Sequence, residues 1–184
     1  MRPAYRQTGK CLIVMGVAYL LLGSNLGNKE ENLRNAVKLL KKFGKVRKHS
    51  AIYETEPWGF SDERNFFNKA ICLETSLNPF ELFTEILKIE ISIGRKRQIK
   101  QWVAREIDID IIFYDNLILS EEFLIIPHPH LKNRKFALAP LEEIASGFIH
   151  PVLGKSITEL LKECPDDCEV ELLHSPSFDC ITPN

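Results

Sequence analysis

The segment REIDIDIIF, residues 105 to 113, constrains this chain most, because it sets Asp108 and Asp110 inside an otherwise apolar run. Read as a β-strand, its side chains alternate, so Ile107, Ile109, Ile111 and Phe113 point one way while Asp108, Asp110 and Ile112 point the other. The two carboxylates then share a face with Cα atoms about 6.6 to 7 Å apart, and they repel when ionised and partly desolvated unless a cation lies between them. Asp is also disfavoured in strands. Spacing alone leaves two readings open: a half-exposed strand with solvated acids, and a divalent metal site built from oxygen ligands.

The rest of the chain bears on that choice. Its 184 residues fit one domain with a substantial core. A formal net charge of −1 argues against a general nucleic-acid binder held by bulk electrostatics, so any bound anion must be met by a local basic cluster. Five cysteines, Cys11, Cys72, Cys164, Cys168 and Cys180, form no compact framework and suit reduced thiols in a cytoplasmic protein. Cys164, Cys168, His174 and Cys180 are a disfavoured zinc alternative, since no two-residue knuckle spacing occurs among them.

Arg2, Arg6 and Lys10 precede the apolar run CLIVMGVAYLLLG, which has the look of a signal peptide but is too short to span a bilayer. Its second half, VAYLLLGSNLGN, reads as a buried strand entering a Gly/Ser/Asn turn. Residues 1–15 are therefore expected to be an extension or a cloning remnant, 16–163 the functional domain and 164–184 a poorly structured tail. No segment suggests a membrane span or targeting.

Asn28 with Glu31 predicts a helix start, followed by Leu33, Val37, Leu40 and Phe43 at helical spacing, with Gly44 as its stop. KVRKHSAIYETEP and FFNKAICLET read as strands on either side of the loop EPWGFSDERN. Asn78-Pro79 opens a second helix that ends at Gly94. After the aspartate strand, Asp115-Asn116 turns into a further strand pair, a helix follows through about Ile144, and Ser156 with Glu159 caps a last short helix. This order predicts an α+β fold with a ferredoxin-like βαββαβ core, a mostly antiparallel sheet with helices packed on it and an appended C-terminal strand and helix region. The first and fourth core strands would be neighbours in the middle of the sheet, bringing the turn after the first strand near the aspartates.

Between residues 95 and 105 stand five basic residues, Arg95, Lys96, Arg97, Lys100 and Arg105, and no acid. Beside two carboxylates this is what a polyphosphate needs, with a hard cation bridging oxygens and guanidinium groups clamping them. Neither GxxxxGK[ST] nor GxGxxG is present, so side chains and metal must hold the phosphates. Trp58, Phe60, Phe66, Phe67, Trp102 and Phe136 with Asn68 could stack and read a flat heterocycle. His128, in His128-Pro129-His130, suits a phosphate contact better than a transition metal.

Taken together, YLLLGSNLGN, YETEPWG, FFNKAICLET, the stretch from IGRKR through QWVAREIDIDIIFYD, and IPHPHLKNRKFALAPL resemble the 6-hydroxymethyl-7,8-dihydropterin pyrophosphokinases from about Val17 to Leu161. Those folate-pathway enzymes move a pyrophosphoryl group from ATP to a pterin alcohol. The resemblance implies two magnesium ions (Mg2+) on Asp108 and Asp110, with Arg95 and Arg105 catalytic beside them. It implies ATP contacts from Glu90, Arg95, Arg97, Trp102, Arg105, His128 and Arg134. Pterin contacts would come from Ser24, Thr55, Glu56, Pro57, Trp58 and Asn68, with stacking between Phe66 and Phe136. The implied partners are ATP and 6-hydroxymethyl-7,8-dihydropterin, with no nucleic acid or membrane, in a cytoplasmic monomer.

The chain departs from the family pattern at Val103-Ala104, where Gly-Pro is common, at Phe66, where Tyr is frequent, at Gln101 and Phe123, basic in some members, and at Glu63-Arg64 in place of Gln-Pro. No general base stands out. Two rival readings remain, another magnesium-dependent nucleotidyl or phosphoryl transfer enzyme and a ferredoxin-like RNA-binding module.

Overall fold

The structure, a computed structural model, describes residues 15–56, 64–94 and 105–173. Its mixed α/β architecture is built on an antiparallel sheet. The strands are β1 (Gly16–Ser24), β2 (Gly44–His49), β3 (Ile52–Thr55), β4 (Phe66–Thr75), β5 (Asp108–Tyr114) and β8 (Val170–Leu173), in the order β5-β1-β4-β3-β8 with β2 also on β4. A separate hairpin joins β6 (Leu119–Glu121) to β7 (Leu124–Ile126).

Helices cover both faces of the sheet. On one side, α1 (Lys29–Leu40) and α2 (Pro79–Ile93) bury Leu33, Leu40, Leu82 and Ile86 against Leu20, Leu22, Ile71, Leu73, Ile109 and Ile111. On the other, α3 (Lys135–Ala145) and α4 (Ile157–Lys162) bury Leu138, Leu141 and Leu160 against Leu21, Ala70, Ile112 and Phe113. A central strand buried on both faces reads as a continuous apolar run, which is why YLLLG shows no alternation. No helix among the described residues is long and apolar enough to cross a membrane.

The expected helix starts rest on local chemistry. Glu31 N–H donates to Asn28 Oδ1 at 3.2 Å. Asn78 Oδ1 accepts from Phe80 and Glu81 N–H, both at 3.0 Å, while Glu81 Oε2 accepts Asn78 N–H at 2.8 Å, a complete capping box. Ser156 and Glu159 form another.

Four expectations need correction. Gly44 does not stop α1, which is capped at Lys41; it opens β2 where that strand crowds β4. Phe113 leaves the face of Ile107, Ile109 and Ile111, because the β1–β5 register shifts between Tyr19 and Leu20 and a bulge at Ile112 turns Phe113 toward α3. β5 does neighbour β1 but stands at the sheet's end rather than in its middle. The segment after Cys164, read as poorly structured, supplies β8, paired antiparallel with β3. Residues 174–184, with His174 and Cys180, lie outside the described residues, as does Cys11; Cys72, Cys164 and Cys168 are free thiols.

A Cβ on Gly44 would stand 2.2 Å from the carbonyl oxygen of Glu74, which is sheet backbone and cannot yield without parting β2 from β4. Gly44→Ala is therefore expected to lower unfolding stability by about 1–3 kcal/mol. Urea titration checks this, and a loss under about 0.5 kcal/mol would mean that the two strands separate freely.

Candidate active site

Ile107, Ile109 and Ile111 are each 5% exposed or less, packed in the layer of α1 and α2. Their burial obliges Asp108 and Asp110 to emerge on the opposite face, beside α3. Strand β5 has no neighbour on its outer side among the described strands, and the N–H of Ile109 is met there by Glu90 Oε1 at 2.9 Å. Glu90 itself is 3% exposed on α2. The resemblance sets Glu90 beside the nucleotide; in the structure its carboxylate grips the backbone midway between the two aspartates.

Each aspartate faces a guanidinium. Arg105 Nη1 lies 2.5 Å from Asp108 Oδ2, and Arg134 Nη1 lies 3.8 Å from Asp110 Oδ2. Burial pushes the Arg134 pKa down, opposed by Asp110 and Asp108, while Arg105 adds repulsion. Arg134 Nη1 also stands 3.3 Å from His128 Nε2, and His130 N–H points at His128 Nδ1 from 3.3 Å. A neutral imidazole has one acceptor nitrogen, so it can satisfy only one of these donors at a time. The His128 backbone is anchored by its N–H to the carbonyl of Ile112 at 3.1 Å, so the bulge residue of β5 holds the histidine beside the aspartates.

The aspartate face continues across the sheet through the strand register. Asp108 lies opposite Gly23, Gly23 opposite Asn68, and Asn68 opposite Tyr53, giving one transverse row over β5, β1, β4 and β3. A Cβ on Gly23 would come 3.3 Å from Asn68 Oδ1 and 3.8 Å from Phe66 Cδ1, so the missing side chain leaves a floor between the acids and the amide. Asn68 and Thr55 are each 2% exposed, and Asn68 Nδ2 donates to Thr55 Oγ1 at 2.8 Å. That bond fixes the amide orientation and turns Oδ1 toward the floor as an acceptor.

Ser24 does not join this row. Alternation along β1 turns its side chain to the face of Leu22, fully buried, where Oγ donates to Glu106 O at 2.5 Å. The neighbouring Asn25, which the family resemblance puts in the turn beside the pterin pocket, is a tie. Its N–H donates to Arg105 O at 3.2 Å and its Oδ1 accepts Arg105 N–H at 2.8 Å, joining the turn after β1 to the start of β5. Gly23 was missed, although the glycine preceding Ser24-Asn25 was a visible signal. Phe66 and Phe136 are half-buried, and Glu56 is exposed at the end of β3. Pro57, Trp58, Arg95, Arg97 and Trp102 lie outside the described residues.

Two carboxylates on one face are hard oxygen donors of the kind that magnesium takes while keeping waters and phosphate oxygens in its remaining positions. Among the described residues no group of three or more His, Cys, Asp or Glu could form an all-protein cage. The donor set fits a cation shared between protein and a phosphate ligand.

The chain is similar to known proteins. A family model described as 7,8-dihydro-6-hydroxymethylpterin-pyrophosphokinase (HPPK) matches residues 19–146. The 2-amino-4-hydroxy-6-hydroxymethyldihydropteridine pyrophosphokinase of Aquifex aeolicus is 40% identical over 149 residues, covering 81% of this chain and 92% of that protein. Its namesake in Bacillus subtilis is 45% identical over 130 residues, 70% of this chain and 77% of that one. A crystal structure of wild-type Plasmodium falciparum HPPK-DHPS with pteroate matches in fold with a TM-score of 0.65 at 17% identity, over 82% of this chain and 42% of that chain. This chain thus spans less than half of that solved protein.

Burial first, then the neighbouring Arg134 and His130, lowers the His128 pKa from 6.5 to about 3, against a small opposing backbone hydrogen bond. The unfolded chain therefore takes up this proton first. The contribution of neutral His128 to stability is complete above about pH 6.5 and is lost as pH falls from there toward about 3. In NMR titration the His128 ring is expected to stay neutral at pH 5, and a midpoint near 6.5 would contradict this environment.

Proposed function

Because the chain belongs to the 7,8-dihydro-6-hydroxymethylpterin-pyrophosphokinase family, we propose that it transfers pyrophosphate from ATP to 6-hydroxymethyl-7,8-dihydropterin in folate biosynthesis, using the row from Asp108 through Gly23 to Asn68, held by Thr55, as its site. The observation that carries this reading is the Gly23 floor, with two carboxylates at one end and a fixed amide acceptor at the other. Asp108 and Asn68 stand two strand spacings apart, about 9.4 to 9.8 Å between backbones, which leaves room for a flat heterocycle bearing one hydroxymethyl arm.

In this reading the pterin lies over Gly23, its ring N–H groups donate to Asn68 Oδ1, and Phe66 and Phe136 sandwich it. Glu56 and the backbone around Ser24 complete the rim, and the family resemblance adds Pro57 and Trp58 as pterin contacts. The ATP phosphates lie against Arg105, Arg134 and His128, with Arg95, Arg97 and Trp102 as the further ATP contacts that the family resemblance implies and Glu90 acting through the backbone of β5. Magnesium, two ions by family resemblance, would be held by Asp108 and Asp110 and would neutralise phosphate charge.

The hydroxymethyl oxygen attacks Pβ, the new O–Pβ bond forms as the bond from Pβ to the α-phosphate oxygen breaks, and AMP leaves. The hydroxyl proton goes to a base that we do not assign. Little covalent chemistry falls to the protein, whose part is to align the two reactants and to hold guanidinium charge where the phosphates pass through the transition state. His128, neutral at working pH, serves as a hydrogen-bonding group rather than a cation.

The strand order, with β2 and β3 together taking the place of one core strand, supports the ferredoxin-like description. We further read the protein as a cytoplasmic monomer acting on small molecules without nucleic acid, in keeping with its net charge of −1. We also propose a functional domain over residues 16–163, whose sheet the following segment extends with β8.

Chromatography of adenine nucleotides after incubation with ATP and magnesium tests the reaction. AMP is expected only when the pterin alcohol is present, matched by pterin diphosphate. ADP, or AMP formed equally without pterin, would favour the rival nucleotidyl or phosphoryl transferase. Asp110→Ala is expected to retain under about a hundredth of the turnover while the fold is kept, in line with loss of several kcal/mol of charge stabilisation; more than a tenth retained at saturating magnesium would exclude a ligand role. Asn68→Ala and Gly23→Ala are each expected to weaken pterin binding at least about tenfold with ATP binding little changed. Equal loss for both ligands in separate titrations would refute the assignment of the floor to pterin.

A further inference from the structure

Helix α3 begins without a cap of its own. Its N-cap residue is Arg134, whose side chain makes no capping hydrogen bond. The acceptor comes from the C-terminal segment: Asp166 Oδ2 accepts the N–H of Lys135 at 3.0 Å. Asp166 is itself oriented by Cys168, whose N–H donates to Oδ1 at 3.2 Å and whose thiol reaches Oδ2 at 3.4 Å. Lys135 Nζ closes the ring by donating to the carbonyl of Cys168 at 3.0 Å. The chain then enters β8, which pairs with β3 from Ile52↔Leu173 to Thr55↔Val170. This strap lies beyond residues 19–146, where the family model matches.

The strap therefore joins two elements that flank the site, the first turn of α3 with Arg134 and Phe136 and the strand that ends in Thr55. We propose that it positions Arg134 and Phe136 for the reaction, with Asp166 as the positioning residue; this rests on the roles given to those two side chains above.

The physical reason is the end of the helix. First-turn N–H groups have no intrahelical acceptor, and a carboxylate there satisfies one and meets the positive end of the helix dipole. Ala137 and Leu138 both donate to Arg134 O at 3.0 Å, so this turn opens or closes together with the backbone of Arg134. Without Asp166 the turn frays in a fraction of molecules, and ligand affinity falls by that fraction.

The test uses the full chain and its Asp166→Ala, Asp166→Asn and Asp167→Ala variants; Asp167 is the exposed neighbour and serves as a charge control. In Asp166→Ala, hydrogen exchange at the Ala137 and Leu138 amides is expected to rise about threefold to tenfold with the far end of α3 unchanged. The pterin KM should rise in proportion to the molecules whose turn has frayed, about twofold when half are frayed, while kcat changes less. Asp166→Asn, which keeps an oxygen for Lys135 N–H, should recover most of both effects, and Asp167→Ala should show neither.

Unchanged exchange in Asp166→Ala overturns the proposal, as does an equal effect from Asp167→Ala. Arg134→Ala and Phe136→Ala separate the two levels of the argument. If they impair the reaction and Asp166→Ala leaves the pterin KM unchanged, the strap proposal alone falls. If neither impairs turnover, the site reading fails and the strap proposal falls with it.

Discussion

A carboxylate buried in an apolar layer must find a donor, and Glu90 finds the N–H of Ile109, midway between Asp108 and Asp110. This bond joins α2 to the end of the sheet, where the strand would otherwise present an unpaired backbone group. Three isoleucines buried beneath it set which way the strand faces, and the hydrogen bond sets how it is held. Together they aim both aspartates across the sheet. Loss of either would free the strand to twist, and the guanidiniums of Arg105 and Arg134 would face carboxylates at uncontrolled distances.

The remainder of the site is organised by register from that point. The row Asp108, Gly23, Asn68, Tyr53 exists because antiparallel pairing sets residues from four separate segments side by side. Each end is secured by a different device. Asn25 and Arg105 exchange backbone and side-chain bonds at the acidic end, and Thr55 holds Asn68 at the other. Between them stands a glycine whose contribution is the space that it leaves. Such a row can hold a rigid ligand with little reorganisation, which is where binding energy turns into alignment.

Much of this was legible beforehand, and the reason differs by element. Asn28, Asn78 and Ser156 announce helices because a cap is a local exchange of hydrogen bonds within four residues. FFNKAICLET was bounded to the residue because turn chemistry flanks it on both sides. The paired aspartates and the resemblance that they anchor led to the family. By contrast, the bulge at Ile112 is not announced locally, because the run from Ile111 to Tyr114 is apolar at every position and fits either register, and Phe113 lies on the face opposite to the one that alternation predicts. Gly44 looked like a helix stop, since a glycine that tolerates close backbone approach and one that ends a helix are the same letter.

The sequence by itself determined that acids would share a face in a buried strand, where helices would begin, and which family chemistry the motifs carry, because these depend on neighbours within a turn or on alternation. Tertiary structure decided what no local rule contains: that Ser24 turns away to Glu106 while Gly23 forms the floor, that His128 is anchored on Ile112, and that Asp166 caps a helix beginning at Lys135. Those pairings join residues distant along the chain, and their partners are chosen by sheet register and helix packing, so they come into being only when the whole core closes.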